Sequence, residues 1–338
     1  MEPLQVIHGR LRDAEVTAFA VMKDEMFYIR AFLDHHRRIG IEQFIILDDR
    51  SSDGTREFLA GQPDCVVLAS PYSFGETVTF PTDSGSRSVR GAVAFKTMIP
   101  RKYLSGRYAL CLDADEFTIL PKGVTNLGEL QAMLARNEVV SVAATLIDFF
   151  PRSVREMDQP RDPPSAEEML RLYGYFDALP LIGWKPGIEH PVRLEQSATA
   201  RLFRKHRIKT VPEAMQRAPR WLNRLLPYRI PTTSVSKMPL ARWVDGITYE
   251  NTHRTNVTPS DKVLLGLAHV KFTYDLSRRM AAALVSKAYV RGSRKYLWYE
   301  ELLESMRRGD PSFLGPDSRM YTQPADLADA QLTKLELA

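Results

Sequence analysis

Along the first 150 residues, apolar positions come in short dense runs separated by polar turns. Residues 15–23 ("EVTAFAVMK"), 43–49 ("QFIILDD"), 65–70 ("CVVLAS"), 107–117 ("RYALCLDADEF") and 139–150 ("VVSVAATLIDFF") each hold a nearly unbroken apolar stretch. Such runs, without strict alternation, fit strands covered on both faces. Between them the spacing lengthens to the helical period, over 25–40 ending at Gly40, 49–61, 91–104 and 127–137. Strand, helix and strand in tight succession predict an α/β fold with a parallel sheet flanked by helices. Residues 71–90, rich in Gly, Ser, Thr and Pro, read as a long loop. The alternation stops near residue 150. Residues 151–230 carry many prolines and arginines and read as irregular and substrate-facing. Two strands are predicted at 234–243 and 266–272, and helices at 278–290 and 295–308.

Composition narrows the class. With 338 residues and 44% hydrophobic content, the chain buries a substantial core. No apolar run approaches the ~18 residues that cross a bilayer. The N-terminus is charged where a signal peptide needs apolar residues, so a cytoplasmic protein is expected. Cys65 and Cys111 have no metal-like spacing and form no disulfide framework. The formal charge of +5 suits an anionic substrate and does not call for nucleic acid. Basic residues thicken at Arg201, Arg204, Lys205, His206, Arg207 and Lys209, and again at Arg217, Arg220 and Arg224. That pattern reads as a solvated face, or as a patch for phosphates or for the acidic inner face of a membrane, touched peripherally.

The chemistry concentrates in "RYALCLDADEFTIL", residues 107–120. Strand alternation puts Asp113 and Asp115 on one face, with α-carbons about 7 Å apart. Parallel sheets gather ligands beyond the carboxyl ends of their strands, which is where this cluster falls. Oxygen-only ligands of this kind select Mg2+ or Mn2+. The other reading is that the carboxylates cap a helix or pair with arginines. A second acidic turn, "LDDRSSDGT" (47–55), also follows a strand. Asp49 there either accepts hydrogen bonds from a base or ribose or is structural, while Ser51, Ser52 and Asp53 suit a turn and a helix cap.

These two acidic motifs in this order resemble the nucleotide-sugar glycosyltransferases of the GT-A fold, in particular the family 2-like group. The likeness continues in "LIDFFPR", "SKMPLARW", "THR" and "LAHVKF" and touches most of residues 16–275. It implies a mostly parallel GT-A sheet with a Rossmann-like nucleotide-binding half at about 14–120. An acceptor and metal-completing part at about 139–275 would close a domain spanning 1–275, and 276–338 would form a helical C-terminal extension. It further implies a metal-dependent, inverting transfer from a UDP- or GDP-sugar donor to a glycan or other hydroxyl acceptor. Asp113, Asp115 and His269 would hold Mn2+ or Mg2+. Lys23, Glu25, Asp49, Asp53, Arg201 and Lys237 would meet the donor. The Glu-Asp pair at which many relatives keep their base has no counterpart, so the base is sought in Asp148, His253 or Glu213. Burial beside Phe149 and Phe150 is expected to raise the Asp148 pKa, although a structural aspartate ending a strand reads equally well. His36, inside an amphipathic helix, reads as structural. Two alternatives remain. One is a binding module that kept the fold without the chemistry. The other is an aspartate-nucleophile phosphatase, whose motif expects Thr or Val where Phe117 stands.

Overall fold

The computed structural model describes residues 3–82, 85–209, 231, 233–286 and 295–337. In chain order the strands are β1 (Gln5–His8), β2 (Thr17–Met22), β3 (Gln43–Asp48), β4 (Cys65–Ala69), β5 (Thr77–Thr82), β6 (Gly85–Arg90), β7 (Tyr108–Leu112) and β8 (Glu116–Ile119). They continue with β9 (Ser141–Asp148), β10 (Tyr175–Asp177), β11 (Ile182–Gly183), β12 (Val192–Arg193), β13 (Ser236–Arg242), β14 (Ser260–His269), β15 (Ser318–Met320) and β16 (Lys334–Leu335). The helices that matter for the site are α1 (Ile29–Arg38), α2 (Thr55–Ala60) and α3 (Gly91–Tyr103), followed later in the chain by Leu276–Ser286 and Lys295–Arg308.

A ten-stranded mixed sheet in the order β1-β4-β3-β2-β7-β13-β9-β14-β16, with β8 also on β14, forms the centre. Within it β2, β3, β4, β7, β9 and β14 point the same way, and β1, β8, β13 and β16 run against them. The unbroken apolar runs have a direct cause. Ala18, Ala20 and Met22 of β2 face one core, together with Phe44 and Ile46 of β3 and Leu110 and Leu112 of β7. Phe19, Ile45, Leu47, Ala109 and Cys111, which alternate with them, face a second core on the other side. Helix α1 buries Ile29, Phe32, Leu33 and His36 on the first side. His36 is fully buried there and bonds the Phe32 carbonyl (2.8 Å) and the Thr118 hydroxyl (3.1 Å), so it is structural. The chain leaves α1 through Gly40 at φ +97°, where a Cβ would meet the Asn126 side chain at 2.5 Å.

Several expectations are corrected. Residues 77–82 and 85–90, read as loop, pair as the antiparallel strands β5 and β6; β5 turns Val78 and Phe80 inward and β6 is exposed or half-buried throughout. The strand read over 107–117 breaks at Leu112, and Asp113 to Asp115 form a turn before β8 folds back against β14. The late strand begins at Ser260, six positions ahead of the reading, because its first residues are polar. The C-terminal stretch is not helical alone, since β16 adds to the edge of the sheet at β14. Its helix Lys295–Arg308 packs Tyr299, Leu302 and Leu303 with Phe272 and Phe313 in a third core. No helix among the described residues is long and apolar enough to cross a membrane.

Candidate active site

Strands β2, β7, β9 and β14 deliver their carboxyl ends to one side of the sheet, and a cleft of about 380 Å³ opens there. Its floor is the turn Asp113 to Glu116. The carboxylates converge through this turn and not through strand alternation. The Asp113 N–H donates to Glu116 Oε2 (2.9 Å) and the Glu116 N–H to the Asp113 carbonyl (3.1 Å). Val270 N–H donates to the Asp115 carbonyl (2.8 Å), which pins the turn to the end of β14. His269 lies opposite Asp148 in the parallel register of β9 and β14 and opposite Glu116 in the antiparallel register with β8.

Each carboxylate on this floor is paired with at least one cation. Asp113 meets Lys96 at 2.9 Å and Lys237 at 3.3 Å, and Lys237 also bonds Glu116. Asp115 meets Arg279 at 2.9 Å, with His269 Nε2 at 3.6 Å. Asp148 meets Lys271 at 2.6 Å and accepts from the Thr199 N–H at 2.8 Å. Burial alone would raise these carboxyl pKa values, yet Lys237 and Lys96 hold Asp113, and Arg279 holds Asp115, well below the usual carboxylate range. In Glu116 burial prevails over Lys237 and the pKa rises. Asp148 goes against the expectation of a raised value. Burial does push it upward, but the Lys271 ammonium outweighs that and brings it to about 2.

The remaining expected residues divide. Lys23, Glu25, His253 and His269 line the cleft. Burial, reinforced by Lys237 and Lys96, lowers His253 to about 3, so it is neutral. Asp49 does not line the cleft; its carboxylate accepts from the N–H of Phe74, which does (3.2 Å). Asp53 braces the turn and α2, accepting from Met26 N–H (3.0 Å) and Thr55 N–H (3.0 Å). Lys237 is fully buried beneath Asp113 and not in reach of a ligand as placed. Arg201 lies elsewhere, forked onto Asp177 at 2.7 and 3.0 Å, and plays no part in the cleft. Glu213, Arg217, Arg220 and Arg224 fall outside the described residues. The reading from sequence missed Lys96, Lys271, Arg279 and Lys295. Lysines inside apolar stretches, as in "GAVAFKTMI" and "HVKF", were the available signal.

Glu25 differs from its neighbours. Its Oε2 is buried without a hydrogen-bond partner, and Arg279 stands 3.6 Å from Oε1. Burial pushes its pKa up to about 8, against a partly offsetting pull from Arg279. Between its ordinary value of 4.5 and about 8 the folded chain therefore holds a proton that the unfolded chain has lost. This contribution to stability declines as pH rises across that window and is level above it. Glu25→Gln removes the proton. Its melting temperature should gain on the wild type between about pH 5 and pH 8 and then level off, and an offset constant with pH would contradict the assignment.

A divalent cation does not fit the residues as they are arranged. Among the described residues no group of three or more His, Cys, Asp and Glu is placed to hold a metal ion. Asp113 is taken up by two ammonium groups and Asp115 by a guanidinium, which leaves His269 as the expected ligand without a salt bridge at hydrogen-bond distance.

No protein-family model matches the chain, and no curated protein matches it. Among solved structures, a crystal structure of S. aureus TarS 1-349 aligns with 13% identity and a TM-score of 0.29, covering 88% of this chain and 72% of that one. A second S. aureus TarS structure aligns with 14% identity and a TM-score of 0.29, covering 86% and 43%. Overlap this slight leaves fold and site to be argued from the chain itself.

Proposed function

We propose that this chain is a glycosyltransferase that moves a sugar from a nucleoside diphosphate sugar to an acceptor hydroxyl. The observation that carries the reading is the position of the Asp113 to Glu116 turn. It floors a cleft at the carboxyl ends of the parallel strands, where α/β sheets bind nucleotides. The acidic turn after β3 borders it through Phe74, in keeping with a nucleoside near Asp49 and a diphosphate among the cations over Asp113 and Asp115. Asp113, whose side chain is 40% exposed, is the floor carboxylate offered to sugar hydroxyls.

A second reading, donor binding without turnover, draws support from the proton acceptors. Asp148, held at about 2, and His253, held at about 3, are both weak bases at neutral pH. In the catalytic reading Glu25 takes the proton of the acceptor hydroxyl, and transfer rises as pH passes through about 8. Both readings require that nucleoside diphosphates bind. Melting scans with UDP and GDP test this, because a ligand of the folded state raises the midpoint by mass action. Asp49→Ala should weaken that binding by about 1 to 3 kcal/mol, the scale of one hydrogen bond to a charged group. No shift with either nucleotide would remove both readings.

A further inference from the structure

Side-chain cations already stand where the motif calls for a metal. Lys96 and Lys237 flank Asp113, Arg279 holds Asp115, and Lys271 holds Asp148. Lys23, Arg90 and Lys295 line the same cleft. Among the described residues that line the cleft, these lysines and arginines apart from Lys237 outnumber the acidic side chains Glu25, Asp113, Asp115 and Glu116 by six to four. A divalent cation would add charge of the same sign and would have to part Asp115 from Arg279. A diphosphate meets charge of the opposite sign. Arg279 is also built for that ligand. Its guanidinium lies 5.0 Å over the Tyr28 ring, is 18% exposed, and has the planar fork that takes two phosphate oxygens at once. Lys96, which lines the cleft, is fixed by Asp113 and by the Thr252 carbonyl at 3.2 Å.

We propose that this cleft binds the diphosphate of its donor without a divalent metal, Arg279 and Lys96 supplying the positive charge that the metal would otherwise bring. The inference rests on the donor reading above and departs from the metal dependence that the motif implies. In the donor complex the phosphate shares Arg279 with Asp115, and the Asp-x-Asp carboxylates serve to orient cations in place of coordinating one.

Calorimetric titration of the full chain with UDP and with GDP, in excess EDTA and in excess manganese chloride, tests it. At least one nucleotide should bind in EDTA with a Kd within about threefold of that in manganese. In EDTA, Arg279→Gln should weaken binding about tenfold or more. Arg279→Lys, which keeps the charge and loses the fork, should fall between. Lys96→Gln, checked for folding by its melting transition, gives a second readout and should also bind about tenfold more weakly. Binding in manganese alone would overturn the inference and leave the donor reading standing. Wild-type affinity in EDTA for both Arg279→Gln and Lys96→Gln would overturn the assignment of the charge. Absence of binding in either buffer would end the donor reading, and this inference with it.

Discussion

Lys237→Met is expected to cost about 3 to 5 kcal/mol of folding stability, the usual consequence of leaving a buried charge without its partner. Lys237 enters from the middle of the sheet on β13, is fully buried, and neutralises both Glu116 and Asp113. Burial opposes its own charge, yet the two carboxylates hold its pKa above the ordinary lysine value. Methionine fills a similar volume and offers no charge. Glu116, whose side chain is 2% exposed, would then stand in a dry environment, with Lys96 bonded to Asp113. The double variant Lys237→Met with Glu116→Leu removes both partners and should recover much of the loss. Urea unfolding of the two variants decides this. A double variant no more stable than the single one would show that the pair is not the source.

Asp113→Asn is expected to lower kcat/KM for the donor by about a hundredfold, which corresponds to losing charge-assisted hydrogen bonds to a substrate. The change keeps shape and removes charge. It uncouples Lys96 and Lys237 from the floor of the cleft at the position most open to a ligand. Burial works against the Asp113 charge, but Lys237 and Lys96 keep it ionised far into the acid range, so the wild-type effect should not titrate away near neutral pH. A variant with unchanged kcat/KM would mean that Asp113 neither meets the donor nor positions the lysine that does.

Much of the fold was legible because its signal is local. The runs at β2, β3, β4 and β7 alternate between two cores, and two-sided burial leaves an unbroken apolar pattern that any reading of the chain meets. Strand β1 is exposed at all four positions and had no such signal. The β5–β6 pair was hidden differently, because Val78 and Phe80 are buried among threonines over one short stretch and β6 buries none of its residues. In the site, Asp113, Asp115 and His269 stand out in the sequence as candidates, because a cluster of acids after an apolar strand is conspicuous and "LAHVKF" closes a second one, and all three line one cleft. Their counter-ions were not. Lys96 arrives from α3, 17 positions away, and Arg279 from 164 positions away, and such pairings depend on tertiary packing that leaves no trace in spacing. The expected shift of Asp148 was inverted by the same omission. Burial was inferred correctly from its apolar neighbours, but the decisive group, Lys271, lies 123 positions away. Arg201 shows the converse, a basic residue in a promising cluster that packing commits to Asp177.

The central claim is that the Asp113 to Glu116 cleft transfers a sugar from a nucleoside diphosphate. Release of nucleoside diphosphate from a panel of UDP- and GDP-sugars by the full chain, with Asp113→Asn run beside it, tests that claim most directly. The expected result is release from one or a few donors by the wild type, reduced about a hundredfold in the variant. Equal release by both proteins, or none from any donor, would contradict it.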